Sequence, residues 1–337
     1  MAYKVLQHSI PCMVKMLQRA PGIWGRGEIL RIISNRHASS STLDLSGILP
    51  PIATPFNDDE SIAFDKLEEN VKKWNAISFK GYVVQGSTGE FPYLSKEERV
   101  NLVRFVRKIA PKEKLIIGGS GCESTADTIE LTAKMAEAGA DAVMVVTPCY
   151  YKASMTNDAM VAHYTKVADN SPVPVILYSV PGNTAYDLAP EAVFRLAPHP
   201  NIIGMKESGG DITKIGTMVF KTKDTDFQIL AGSAGFLYSS YAMGCVGGVC
   251  SLANVLGPAL CSLGEFFKKG DLAAAQRLQQ RLISPNACVT RRFGIPGLKA
   301  AMDALGYYGG PTRLPMLPVS EKDRATIIQV FAESGFM

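Results

Sequence analysis

From Gly47 onward the chain alternates short apolar runs with stretches of helical period, eight times over. The runs are 48–54 (ILPPIAT), 81–86 (GYVVQG), 114–119 (KLIIGG), 141–146 (DAVMVV), 173–179 (VPVILYS), 201–206 (NIIGMK), 227–232 (FQILAG) and 247–252 (GGVCSL). Continuous apolar runs of this length mark strands buried on both faces, as in parallel sheets covered by helices. The helices between them announce their starts. Ser95 and Glu98 make a capping box ahead of Val100, Leu102, Val103 and Val106, and Ser124 with Asp127 opens the next helix. Eight evenly spaced βα units predict an α/β fold, the (β/α)8 TIM barrel. A doubly wound open sheet is the competitor, but it usually has fewer strands and a G-x-G-x-x-G after the first, which is missing here. Beyond the eighth run the pattern becomes helix only, at 256–269, 271–282, 297–305 and 320–332. These segments predict an additional C-terminal helical layer, 256–337, packed on a barrel that spans 44–255.

Charge separates the first 43 residues from the rest. They hold Lys4, Lys15, Arg19, Arg26, Arg31 and Arg36 against Glu28 alone, leaving 29 basic and 30 acidic residues in the remaining body. A nucleic-acid binder keeps its basic charge on the folded body, so no nucleic-acid partner is expected. Scattered Lys and Arg, few acids and the serines Ser39 to Ser41 suit a mitochondrial targeting leader better than a secretory signal. The expected location is the mitochondrial matrix. No run of about 18 apolar residues occurs, so no membrane partner is expected. Seven cysteines without a C-x-x-C pair read as reduced thiols. Only His163 and His199 lie beyond the leader, and H-E-x-x-H is absent, so neither a metal nor a cofactor is expected.

In a barrel of this kind catalytic groups sit at the C-terminal ends of strands, and one such end stands out. The sixth run closes on Lys206, followed by Ser208 and Gly209-Gly210. Amines in dry surroundings lose part of their preference for the charged form, and a neutral amine attacks ketones to form Schiff bases. An ordinary lysine ending a strand in solvent would look the same. The other strand ends add to it. Ser87 and Thr88 stand between Gly86 and Gly89, where hydroxyls and a following helix N-terminus suit a carboxylate. Tyr150 and Tyr151 lie after the fourth run, as packing or interface residues or as rim groups of a site. Tyr178 ends the fifth run, where a phenol beside an amine relays protons. Gly232 ends the seventh and permits close backbone approach.

Taken together, GSTGE, TPCYY, VILYSVPGNT, GMKESGGD and AGSAG resemble the lyase family of dihydrodipicolinate synthase and N-acetylneuraminate lyase. The resemblance runs from about Gly47 to Gly310 and includes SPNACVTRRFGIPGLKAAMD and GYYGGPTR. Within the family, the chain is most similar to the 4-hydroxy-2-oxoglutarate aldolase branch of animal mitochondria. That likeness implies Lys206 as Schiff-base lysine, Tyr178 as proton-transfer phenol, and Tyr150 as a second tyrosine that members receive from a neighbouring subunit. It implies Ser87 and Thr88 as carboxylate ligands, Ser208 and Gly232 as pocket residues, and a homotetramer built as a dimer of dimers. Two positions separate the branches. The synthase branch carries an arginine where this chain has Asn183, whereas Thr88 is closer to the synthase pattern than to the aldolase one.

The expectation is a class I aldolase cleaving a small 2-oxo acid, 4-hydroxy-2-oxoglutarate, to pyruvate and glyoxylate, as in hydroxyproline breakdown. The alternatives are another pyruvate-dependent lyase of the family, of synthase or N-acetylneuraminate lyase type, and a non-catalytic keto-acid sensor on the same barrel.

Overall fold

Each apolar run supplies a strand, and the helical stretches between them wrap the outside. A computed structural model describes residues Leu43–Met337; the leader read at 1–43 lies, apart from Leu43, outside the described residues. The strands are β1 (Gly47–Ile48), β2 (Gly81–Val84), β3 (Leu115–Gly119), β4 (Ala142–Val146), β5 (Val175–Ser179), β6 (Ile202–Glu207), β7 (Gln228–Ala231) and β8 (Gly247–Gly248). Neighbours pair in parallel from β2 through β8, and β8 pairs with β1. The ring is closed between β1 and β2 by Lys80 N–H to Ile48 O (2.9 Å), Val83 N–H to Pro50 O (3.0 Å) and Ile52 N–H to Val83 O (3.1 Å). The first run was read as seven residues, yet its regular strand is two. Pro50 and Pro51 lack the N–H that a ladder needs.

One main helix follows each strand: α1 (Phe64–Asn75), α2 (Lys96–Ile109), α3 (Thr125–Glu137), α4 (Asn157–Asn170), α5 (Pro190–Leu196), α6 (Ile212–Thr222), α7 (Leu237–Ala242) and α8 (Ala253–Lys268), with a further single helical turn, Pro181–Thr184, between β5 and α5. The expected caps form. Ser95 accepts from Glu98 N–H while the Glu98 side chain accepts from Ser95 N–H, and Ser124 accepts from Asp127 N–H. Helix α8 is kinked at Leu256, two residues before Pro258, where a ring without an N–H disturbs the preceding turn. Then come α9 (Leu272–Ala287), a π-helical turn (Cys288–Arg292), α10 (Gly294–Ala304) and α11 (Glu321–Glu333), the C-terminal layer. This layer is bolted to the strand ends. The Arg313 guanidinium spans both Glu98 oxygens (2.8 and 3.0 Å), and Lys299 meets Glu90 at 2.7 Å with both side chains fully buried.

Two apolar cores result. One lies inside the ring and draws on strands and their flanks, including Val83, Ile117, Met144, Ile176, Tyr178, Ile203 and Leu230. The other lies between strands and helices and includes Val175, Leu177, Ile202 and Met205 with Val193, Ile215 and Met218. Along β5 the faces alternate as pleating requires: Val175 out, Ile176 in, Leu177 out, Tyr178 in. Strand β6 does not keep step. Val175 pairs with Ile202, but Ile176 pairs with Gly204, leaving Ile203 as one extra residue. A one-residue slip exchanges the faces of everything beyond it. Met205 therefore faces the helices, and Lys206 turns inward beside Tyr178, its register partner.

Candidate active site

The inward turn of Lys206 brings it to the floor of a cavity of about 570 Å³ at the C-terminal ends of the strands. Ser87, Thr88, Tyr178, Ser208 and Gly232 line the same cavity. Lys206 is 4% exposed, and its Nζ lies 4.1 Å from the centroid of the Tyr178 ring. Other buried lysines hold carboxylates, Lys214 that of Glu207 at 2.9 Å and Lys299 that of Glu90 at 2.7 Å. Lys206 has no acidic partner among the described residues. An amine so placed meets a ring face instead of a counter-ion, and its nitrogen faces a cavity that could admit a carbonyl carbon.

The phenol is connected in turn. Tyr178 Oη and Ser87 Oγ lie 3.2 Å apart, and Thr88 Oγ1 and Ser251 Oγ lie 2.6 Å apart. Both hydroxyls sit on a 3-10 turn, Ser87–Gly89, flanked by Gln85 (φ 76°) and Glu90 (φ 59°). Left-handed backbone at residues with a Cβ costs on the order of 1–3 kcal/mol each and persists where surroundings enforce it. Here the enforcement is visible. Glu90 accepts from Arg313 N–H (3.0 Å) and is ion-paired with Lys299 (2.7 Å), which donates to Pro311 O (2.6 Å), so the C-terminal layer holds the turn from behind.

On the opposite wall, Gly232 N–H donates to Glu207 O (2.7 Å), and a Cβ at Gly232 would come within 1.9 Å of Ser208 Oγ. Ser208 Oγ is buried with no hydrogen-bond partner, although it lines the cavity. An unmet hydroxyl facing a polar cavity is the kind of group a ligand satisfies. Behind it, Glu207 accepts from Gly209 N–H and Lys214, and Asp187 also accepts from Lys214. Burial raises the Glu207 carboxyl above the usual range, against the opposing pull of Lys214. Burial pushes the neighbouring Cys250 thiol up to about 12, which keeps it protonated and outside nucleophilic chemistry.

Tyr150 stands apart. Its side chain is 77% exposed, packs edge-to-face on Tyr151 (72% exposed) at 5.0 Å, and does not line this chain's cavity. Only its backbone is fixed, by N–H donation to Glu123 at 2.9 Å. Sequence reading overlooked Ser251, the partner of Thr88, and the Glu90–Lys299 pair. The first lay in view at the end of the eighth run, but its partner is 163 positions away. Among the described residues, no cluster of three or more His, Cys, Asp or Glu is placed to hold a metal.

The pattern of the Dihydrodipicolinate synthetase family matches residues 44–333, nearly the whole described chain. This protein belongs to that family. A relative from Methanothrix thermoacetophila named 4-hydroxy-tetrahydrodipicolinate synthase is 34% identical over 288 residues, 85% of this chain and 96% of its own length. The crystal structure of dihydrodipicolinate synthase DapA-2 from Bacillus anthracis superposes with a TM-score of 0.82 at 33% identity, covering 86% of this chain and 98% of that one. The dihydrodipicolinate synthase from Acinetobacter baumannii, solved in complex with pyruvate, gives 0.83 at 28% identity, covering 87% and 100%. These likenesses correct one expectation. The relatives, archaeal and bacterial, carry the synthase name, so assignment to the mitochondrial 4-hydroxy-2-oxoglutarate aldolase branch is withdrawn, and with it the glyoxylate product and the hydroxyproline setting. The physical reason is that Lys206, Tyr178, Ser87, Thr88, Ser208 and Gly232 gather in one cavity whose makeup does not by itself distinguish one second substrate from another.

Proposed function

We propose that the chain is a pyruvate-dependent class I lyase in which Lys206 forms a Schiff base with the ketone of pyruvate and bond making or breaking takes place at the pyruvate methyl carbon. The observation that carries this reading is a buried amine without an acidic partner, set on the face of a phenol that is itself within hydrogen-bonding reach of a serine. Attack of the neutral amine on C2 expels the ketone oxygen as water. Loss of a C3 proton from the iminium gives an enamine, whose carbon adds to an aldehyde. The aldehyde oxygen takes a proton from Tyr178, which recovers one through Ser87, and hydrolysis of the imine frees Lys206. Run in reverse, the same steps cleave a 4-hydroxy-2-oxo acid. Ser87 and Thr88 are assigned to the pyruvate carboxylate, with Ser208 and Gly232 shaping the wall beside it. Positioned proton transfer of this sort contributes about 10²- to 10⁴-fold.

The names of the relatives favour the synthase direction, condensation with an aldehyde, over cleavage. We assign Tyr150 to a site shared between copies in a homotetramer, since two large exposed aromatics on one rim are what a second subunit covers. The basic stretch 1–43 is assigned as a mitochondrial address; fused to a fluorescent protein it should carry the reporter into mitochondria, and a cytosolic signal refutes this. The central test is borohydride reduction in the presence of pyruvate, followed by peptide mass mapping. A reduced adduct on the peptide holding Lys206, absent in Lys206→Arg, is expected because a guanidinium stays protonated. An adduct elsewhere, or none, refutes the reading.

A further inference from the structure

Tyr178 and Lys206 are register partners at the ends of β5 and β6, and both line the cavity. The next pair along the same two strands is Ser179 and Glu207, register partners in turn and both fully buried. Pleating sends successive residues to opposite faces, so this second pair looks toward the helices. Each of its members is the immediate chain neighbour of a reacting group.

On that outer face four side chains close a circuit. Ser179 Oγ donates to Asp187 (3.0 Å), and Asp187 and Glu207 both accept from the Lys214 ammonium, the latter at 2.9 Å. Glu207 stands across from Ser179 and completes it. The backbone is drawn in as well. Ser179 Oγ accepts from Leu188 N–H (3.2 Å), and Ser179 O accepts from Ser208 N–H (3.0 Å). The Glu207 carboxylate accepts from Gly209 N–H, and Glu207 O accepts from Gly232 N–H (2.7 Å). The ends of β5, β6 and β7 are thereby tied together directly behind the amine. The Glu207 side chain is wholly buried and that of Lys214 nearly so, whereas Asp187 stands half-exposed at the edge.

A buried ion pair is a poor source of stability, because desolvation offsets the attraction. Its hydrogen bonds do fix direction. We infer that Glu207 is a positioning residue: with Lys214, Asp187 and Ser179 it forms a clamp that holds Lys206 against the Tyr178 ring and keeps Ser208 at the cavity wall. This rests on the Schiff-base reading above and adds the group that sets its geometry. In Glu207→Gln one of the two carboxylate oxygens becomes an NH2, so either Gly209 N–H or the Lys214 ammonium would face a donor where it now finds an acceptor.

The test uses pyruvate alone in D2O and follows deuterium entry at its methyl group by NMR, which reports imine formation and C3 proton loss without a second substrate. Borohydride trapping runs beside it, and circular dichroism measures the folded fraction. Glu207→Gln should lower kcat for exchange about 10- to 100-fold, with the pyruvate KM near parental because the Ser87–Thr88 turn is untouched. Lys214→Arg, whose guanidinium still bridges both carboxylates, should keep most of the rate. Glu207→Leu/Lys214→Met removes both buried charges together and leaves neither unpaired, so it should fold yet lose rate as Glu207→Gln does. Parental exchange in the folded double variant, a rate loss no larger than the loss of folded protein, or a raised KM at unchanged kcat would overturn the clamp and leave the Schiff base standing. If the double variant does not fold, Asp187→Ala at the half-exposed edge decides: a fall in kcat of about 2- to 10-fold supports the clamp, and a parental kcat overturns it. Absence of both exchange and trapping in the parent would remove the Schiff-base reading, and the clamp with it.

Discussion

The inward aim of Lys206 depends on one extra residue in β6, which makes Gly204→Ala a sharp perturbation. A Cβ at position 204 would lie 2.2 Å from Gln228 O on β7, and no flexible side chain is there to give way. Ordinary carbon–oxygen contact needs about 1 Å more, so β6 and β7 must part at the level of the bulge. Overpacking of this kind costs about 1–3 kcal/mol, and a strained or lost ladder bond adds about 0.5–1.5 kcal/mol. Gln228 also holds the entry to β1, accepting from Leu45 N–H and donating to Leu43 O (both 2.8 Å), so movement of its backbone loosens the barrel floor. A loss of about 2–4 kcal/mol, spread over a barrel of this size, predicts a melting temperature lower by about 3–7 °C. Because Lys206 is two residues on, the rate of borohydride trapping with pyruvate should fall well beyond the loss of folded protein measured by circular dichroism at the same temperature. A variant that melts with the parent and traps at the parental rate would show that the bulge does not set the lysine.

Tyr178→Phe keeps the ring face over Lys206 but removes the hydroxyl 3.2 Å from Ser87; imine trapping should persist while turnover falls about 10²- to 10⁴-fold, and unchanged turnover counts against the relay. Lys299→Met strands the buried Glu90 carboxylate and should cost about 3–5 kcal/mol in urea unfolding, largely restored in Glu90→Gln/Lys299→Met; equal stability of single and double variants contradicts the pairing. Burial pushes His163 down to about 4 from 6.5, with only Thr125 Oγ1 on Nδ1 (2.9 Å) and nothing on Nε2. The unfolded chain then protonates first as pH falls, so this contribution is complete above pH 6.5 and is lost toward pH 4, by up to about 3 kcal/mol. His163→Asn should flatten the fall in urea midpoint between pH 6.5 and 4, and parallel slopes for both chains would refute it.

The parts of this fold that could be read from the chain are those with local causes. Eight apolar runs gave eight strands, and Ser95 and Ser124 capped the helices they precede, because period and capping act over a few residues. The aim of Lys206 was of another kind. Counted strictly from the inward Ile203, alternation would have put Lys206 on the helix side, and only Gly204, a glycine inside a strand, hinted at the bulge that reverses this. Thr88 with Ser251, and Glu90 with Lys299, are pairs made by closure of the ring and docking of the last helices, so nothing near either residue foretells them. Tyr150 stayed ambiguous for a different reason, since its surroundings in a single chain are solvent.

Because Glu90 is gripped from behind by Lys299 and Arg313, the last quarter of the chain does more than shield the ring from water. It acts as a buttress for the two hydroxyls at the mouth. A protein cut after the eighth strand would lose that support, and substitutions far from any substrate, in 299–313, would register as catalytic defects before they registered as unfolding. Damage at such remote positions would then be mistaken for damage to the chemistry.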